Sequence, residues 1–159
     1  MDDEAHPPGR RAALTALLVA SLVAVAAVTL DPRGSGWSWG APAVELHWYV
    51  SGLGSAATRV QLLGNLALLT LPAAVAVLRW PSLGRPAVVA GMSLAAGATI
   101  ELLQWVLPLG RVVSPLDAVL NAGGGVATGL LVASPRVRDL GSLRVQAPSF
   151  PQPGPGPGR

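Results

Sequence analysis

Four long apolar runs divide the chain, and short segments rich in Pro, Gly and Arg separate them. The first run, residues 12–30, contains no charged residue. As a helix rising 1.5 Å per residue it would be roughly 28 Å long, which matches the hydrocarbon thickness of a bilayer. The other runs cover residues 60–78, 87–107 and 116–133. The pattern predicts an all-α integral membrane protein, a four-helix bundle that crosses the bilayer four times.

Two of these runs carry a complication. Ala24-Val25-Ala26 resembles a cleavage site, so the first run has an alternative interpretation as a signal peptide. A signal core usually holds about 7–15 apolar residues, and because this run is longer we favour a retained helix. In the second run, Pro72 predicts a kink, since membrane helices tolerate proline but bend at it.

The polar segments complete the predicted organisation. Residues 1–11 form an N-terminal segment, and residues 134–159 form a Pro/Gly-rich tail that we expect to be disordered. Residues 31–59 form a loop with three Trp residues, a residue type that settles at the headgroup level. A short interfacial helix over residues 43–50 fits within this loop.

The sparse charge supports a membrane protein and orients it. Only 12% of the residues are charged, which is too few to cover a soluble domain. All eleven basic residues are Arg, and they flank the apolar runs rather than forming a patch for nucleic acid. With a cytoplasmic N-terminus, eight Arg lie on the inner side and three on the outer side. This bias predicts that both termini are cytoplasmic and that residues 31–59 form an outer loop.

Six polar residues lie within the last three runs or in the turn between the third and fourth runs. All six are predicted to lie at a similar depth. A polar group inside hydrocarbon is costly, so each needs a partner or a function. All six fall in the outer third of the predicted bundle, and one outward-facing polar pocket accounts for them together. The set consists of Asn65, Glu101, Gln104, Arg111, Asp117 and Asn121.

Each of these residues also has a purely structural interpretation. Asn65 and Asn121 could join helices by hydrogen bonds, and Asp117 could complement the dipole at a helix N-terminus. Gln104 could lie at the interface, and Arg111 could mark the headgroup boundary. A buried Glu101 would stay protonated or find a cation, and Arg111 is the nearest one along the chain.

Small residues line parts of the last two runs, notably Gly123, Gly124, Gly125 and Gly129, and Gly91, Ala95 and Gly97. They would serve either homo-oligomerisation or close packing within the bundle, and we favour the packing. Glu45 and His47 could line the outer pocket, but we favour a position on the surface of the outer loop. With no Cys and only lone His residues, the sequence indicates neither a metal site nor a cofactor.

The order Glu101-x2-Gln104, Arg111, Asp117, Asn121 and Gly124, preceded by Asn65, resembles the VanZ-like family of small helical membrane proteins, named for a teicoplanin-resistance protein. The resemblance covers residues 60–133. It departs from the family pattern where Leu69 replaces Phe, Ala73 replaces Gly and Ser114 replaces an acidic residue. The resemblance implies a multi-pass protein of the bacterial plasma membrane and cell envelope that lowers glycopeptide sensitivity. Membrane lipid, a lipid-linked cell-wall precursor or the glycopeptide itself would be its ligand.

Two other classes of function stay open. In an intramembrane enzyme acting on a lipid-linked or phosphorylated substrate, Glu101 and Asp117 would exchange protons while Arg111 held the anion. The sequence shows no nucleophile motif that would strengthen this interpretation. In a non-catalytic structural subunit, the same polar residues would only pack the bundle.

Overall fold

The computed structural model describes residues 8–135. Residues 1–7 of the predicted N-terminal segment and nearly all of the tail predicted to be disordered therefore lie outside the described residues. Two short strands are β1 (Trp37–Trp39) and β2 (Arg111–Val113), and a 3-10 turn covers Pro81–Gly84. The helices are α1 (Pro8–Thr29), α2 (Pro42–Ser51), α3 (Ala56–Leu68), α4 (Thr70–Arg79), α5 (Pro86–Val106) and α6 (Pro115–Ala133).

Four helical stretches are long and apolar enough to cross a membrane, as the sequence predicted: α1, α3 together with α4, α5, and α6. In the most apolar window of each, no more than 28% of the residues are buried inside the protein. Most of the apolar side chains therefore point outward. Exposing them to water would be unfavourable, whereas contact with lipid tails is not. This is the architecture of a membrane protein.

The stretch from residue 56 to residue 79 is broken at Leu69, which has φ −97° and ψ 4°. Pro72 explains the break. It has no N–H to donate to the carbonyl of Leu68, and its ring crowds that carbonyl. Beside the break, the hydroxyl of Thr70 donates to the carbonyl of Ala67 at 2.7 Å. The predicted kink is thus confirmed.

The all-α prediction is incomplete because β1 and β2 pair in parallel, with Trp37 opposite Arg111 and Trp39 opposite Val113. The pairing satisfies backbone groups of two connecting segments that would otherwise lack partners. Gly110, at φ 65°, donates its N–H to the carbonyl of Gly36 at 2.7 Å. A side chain at Gly110 would collide with the backbone of Gly34, so this crossing requires glycine.

Helix α6 occupies the centre of the fold and packs against α3, α4 and α5, whereas α1 packs mainly against α4. Its glycines allow these close approaches. A side chain at Gly124 would collide with the carbonyl of Leu66, and one at Gly97 would collide with the carbonyl of Ala118. The small residues facing α6 therefore serve packing inside the protein. Gly91, in contrast, lies exposed on α5.

The neighbouring glycines of α6 give a matched test of this packing. We expect Gly124→Ala to destabilise the fold by about 1–3 kcal/mol, the usual cost of overpacking. Gly123→Ala should be neutral or stabilising, because a Cβ there has no neighbour closer than 4.0 Å and alanine favours helix. Thermal unfolding in detergent, followed by circular dichroism, measures both. Equal stability of the two variants would contradict the close approach of α6 to α3.

Candidate functional site

A cavity of about 860 Å³ lies where α1 and α5 end and where α3 and α6 begin. We call this end of the protein the polar end and the cavity the polar cavity. All six polar residues singled out from the sequence line it: Asn65, Glu101, Gln104, Arg111, Asp117 and Asn121. Glu45 and Trp48 of α2 line it as well. The structure thus brings the six residues together around one space.

Gln104 and Arg111 bind the C-terminal end of α1. The Gln104 amide donates to the carbonyl of Thr29 at 3.0 Å. The Arg111 guanidinium donates to the carbonyl of Val28 at 2.7 Å and to that of Asp31 at 2.9 and 3.1 Å. The last carbonyls of a helix lack partners within it and carry partial negative charge, so an amide and a cation stabilise them. These two residues therefore attach α1 to the rest of the polar end.

The ion pair considered between Glu101 and Arg111 does not form within residues 8–135. Arg111 is directed to the carbonyls of α1, as described above. Glu101, which is 9% exposed, accepts instead the backbone N–H of Ser114 at 2.7 Å. The pairing inferred from closeness along the chain was wrong because the end of α1, distant in sequence, offers Arg111 several acceptors at once.

Ser114 is completely buried and connects three acidic residues. Its N–H donates to Glu101 at 2.7 Å, and its hydroxyl donates to the carboxylate of Glu45 at 2.5 Å. The same hydroxyl accepts the backbone N–H of Asp117 at 3.0 Å, which caps the first turn of α6. One serine therefore joins α2, α5 and α6 at the wall of the polar cavity.

Tyr49 closes a second set of hydrogen bonds. Its hydroxyl donates to Asp117 at 2.9 Å and accepts from the Asn65 amide at 3.4 Å, which joins α2, α3 and α6. Its side chain is 6% exposed. Burial, with a contribution from the Asp117 carboxylate, raises the pKa of Tyr49 well above the ordinary value.

Glu45, Tyr49 and Ser114 were not among the six residues predicted for the pocket. Glu45 was expected on the surface of the outer loop, and that interpretation was wrong, whereas His47 does lie exposed. Two signals could have found these residues. Glu45 and Tyr49 are four apart and share a helical face, and Ser114-Pro115 followed by Asp117 is typical of a helix start.

Asn121 presents a polar atom without a protein partner. The residue is 2% exposed, and its Oδ1 makes no hydrogen bond within the described part of the chain. A buried acceptor left unsatisfied costs about 1–3 kcal/mol, so such atoms usually have a partner. Because Asn121 lines the polar cavity, a ligand that carries a hydrogen-bond donor would satisfy it.

The cavity does not have the composition of a metal centre. Within residues 8–135, no group of three or more His, Cys, Asp or Glu side chains is arranged to hold a metal ion. Its polar groups are carboxylates, amides and guanidinium groups, which recognise ligands by hydrogen bonding and charge.

No protein-family model matches this chain, and no curated protein or solved structure shows significant similarity to it. Its function must therefore be inferred from the residues of the polar cavity.

Tyr49 is the only tyrosine of the chain, so its ionisation can be followed directly by ultraviolet absorbance. We expect it to ionise well above the ordinary pKa of about 10 in the folded protein, and near that value after denaturation. The folded state holds this proton more tightly than the unfolded state does. Tyr49 should therefore make its full contribution to the free energy of unfolding below about pH 10, and this contribution should fall as the pH rises above that value. Asp117→Asn should lower the pKa of Tyr49. An identical titration in folded and denatured protein would contradict the burial.

The attachment of α1 can be tested by Arg111→Gln. Loss of its bonds to two carbonyls should destabilise the fold by about 1–3 kcal/mol. The chain contains no Cys, so a Leu30→Cys substitution provides a single label site, which we expect to react faster in this variant. Arg33→Gln is the control, because its ion pair with Asp31 is exposed and contributes about 0–1 kcal/mol. Unchanged labelling in both variants would contradict the attachment.

Proposed function

We propose that this chain is a VanZ-like multi-pass protein of the bacterial plasma membrane and that its polar cavity faces outward. There it binds the headgroup of a membrane lipid or of a lipid-linked cell-wall precursor, and thereby lowers sensitivity to glycopeptides. The observation that carries this proposal is the gathering of six polar residues around one cavity that also contains an unpartnered buried acceptor.

The distribution of Arg supports the proposed orientation and the cytoplasmic placement of both termini. Within the described residues, four Arg lie at the end opposite the polar end: Arg10, Arg11, Arg79 and Arg85. Three lie at the polar end: Arg33, Arg59 and Arg111. Four further Arg follow α6 in the sequence, and the topology of the proposed four-helix bundle counts them with the first group. Since basic residues accumulate on the cytoplasmic side, the polar end faces outward.

Aromatic residues support the proposed depth of the cavity. Trp37 and Trp105 pack edge to face at the polar end, with ring centres 6.4 Å apart, and both rings are about half exposed. At the opposite end, the Arg79 guanidinium lies 4.7 Å from the ring centre of Trp80. Aromatic rings at both ends of a protein favour the two headgroup layers. The polar cavity would then lie at the depth of lipid headgroups.

Ser114 supports the family proposal at a position where the sequence departs from the family pattern. The resemblance implies an acidic residue there. In this chain the Ser114 hydroxyl donates to the carboxylate of Glu45, so an acidic group reaches the same place from α2. Glu45 thus supplies from α2 the acidic group that the resemblance implies at this position.

The two other classes of function make different use of the same residues. A structural role fits Gln104 and Arg111, which satisfy the end of α1. It does not account for Asn121, whose buried oxygen has no partner among the described residues. For this reason we place ligand binding ahead of a purely structural role and assign it to the Asn121 side of the cavity.

Expression in a glycopeptide-sensitive bacterium tests the proposal. We expect the wild-type chain to raise the inhibitory concentration of teicoplanin, and Asn121→Ala and Glu101→Gln to lose most of that increase. Losing one ligand hydrogen bond of about 1–2 kcal/mol weakens binding by roughly five- to thirtyfold. Thr99→Val is the matched control, because Thr99 lies exposed on α5 two residues before Glu101.

The comparison is made at equal protein levels in the membrane fraction. Full resistance in the Asn121 and Glu101 variants, or none with the wild type, would contradict the proposal. Lipid analysis of the same cells separates the enzyme alternative. A lipid profile that changes with the wild type and reverts with Asp117→Asn would favour catalysis over binding.

A further inference from the structure

We propose that the polar cavity selects ligands that carry an ammonium group, which Glu45, Glu101 and Asn121 bind by accepting its N–H donors. This inference rests on the proposed function of the cavity as a headgroup site, and it specifies the chemistry of that headgroup.

The acidic side of the cavity lacks a facing cation. The carboxylates of Glu45 and Glu101 both accept hydrogen bonds from Ser114. The carboxylate of Asp117, which accepts from Tyr49, belongs to the same cavity lining. The two Arg residues that line the cavity are directed elsewhere. Arg111 donates to the end of α1, and Arg33 is 65% exposed and pairs with Asp31 at 3.2 Å. Within residues 8–135, no ion pair joins either Arg to the three acids.

Part of the acceptor capacity of these residues is unused. Glu101 accepts one bond from Ser114 through Oε2, and Glu45 accepts one from the Ser114 hydroxyl through its own Oε2. Their Oε1 atoms receive no hydrogen bond from the described residues. The buried Oδ1 of Asn121 is a third unused acceptor. Three residues that line the polar cavity, one each from α2, α5 and α6, therefore retain acceptors with no partner among the described residues.

An ammonium group matches this arrangement in both charge and donor number. It carries three N–H donors and no acceptor, and its charge offsets the repulsion among neighbouring carboxylates. A phosphate would bring further negative charge and no donor to the same wall. A metal ion is a poor occupant, because the acids within residues 8–135 are not arranged as a metal-binding group.

An aromatic ring adds to the attraction. Trp48 lines the same cavity, next to Tyr49 of the acidic side, with their ring centres 5.1 Å apart. The face of an indole ring attracts cations and does not attract anions. Trp48, like Glu45, comes from α2, so this helix contributes both a charge and a ring to the site.

The full chain, purified in detergent, can be tested by native mass spectrometry with an equimolar mixture of three lipids. They are phosphatidylethanolamine, which carries an ammonium group with N–H donors, phosphatidylcholine, whose quaternary ammonium group has no N–H, and phosphatidylglycerol, whose glycerol group carries no cation. We expect the ethanolamine lipid to be retained at least about tenfold over the glycerol lipid, with the choline lipid between them. This comparison uses the wild-type chain and needs no variant to fold.

Glu101→Gln combined with Glu45→Gln should abolish the preference, because the amides keep the shape of the side chains but remove the charge. Asp31→Asn is the matched control. It removes an acid at the same end that lies outside the cavity lining and pairs only with an exposed Arg. Its lipid preference should equal that of the wild type. A preference that survives in the double variant would overturn the proposal.

The failures of the two proposals are distinguishable. In one outcome, the wild-type chain retains all three lipids equally or prefers the glycerol lipid, and Asn121→Ala diminishes that retention. This outcome would overturn the ammonium proposal but leave headgroup binding in place. Retention that is equal for all lipids and unaffected by Asn121→Ala would overturn both proposals. Competition with dodecylamine shows whether the site recognises an amine alone or the headgroup of a lipid. Competition by dodecylamine assigns the selectivity to the amine alone, and preference without such competition assigns it to the lipid headgroup.

Discussion

Ser114 carries an amide N–H and a hydroxyl at a position with no exposed surface, so both groups must find partners inside the protein. Those partners come from three helices. Glu101 of α5 accepts the N–H, Glu45 of α2 accepts the hydroxyl proton, and the first turn of α6 donates to the hydroxyl oxygen. This one buried residue therefore positions the carboxylates of Glu45 and Glu101 and the first turn of α6.

A second constraint acts at the C-terminal end of α1. The carbonyls at the end of α1 have no partner within the helix, and Gln104 and Arg111 supply the donors. The pairing of β1 with β2 holds the segment that follows α1 beside the one that contains Arg111. As a result, α1 is part of the polar end, although nothing in its own sequence distinguishes it from any apolar span.

Together these constraints divide the polar residues by role. Gln104, Arg111 and Ser114 satisfy the backbone and the helix ends, so they build the walls. In the proposed site, Asn121 and the unused oxygens of Glu45 and Glu101 would accept the donors of a ligand. Tyr49 binds Asp117 of α6 and Asn65 of α3, and it thereby holds α2 against both helices. A site assembled in this way would lose its ligand contacts if α2 separated from α6.

The sequence by itself determined the four apolar helices and the common depth of six polar residues. Both follow from local patterns, since about 20 apolar residues are enough to define a span and the spacing along each run fixes the depth. The break before Pro72 was predictable for the same reason. Two missed residues, Glu45 and Ser114, also carried local signals in their helix spacing and capping motif.

Only the tertiary structure decided which partner each polar group has. Arg111 lies 80 residues from Asp31 in sequence and yet donates to its carbonyl, and Tyr49 lies 68 residues from Asp117. A hydrogen bond depends on which distant segments meet, and hydropathy does not encode this. The strand pair follows the same rule, because three residues of each segment are too few to predict a strand without the partner. The sequence thus determined at which end of the apolar helices the polar residues lie, and the fold determined which of their polar atoms have partners within the described residues.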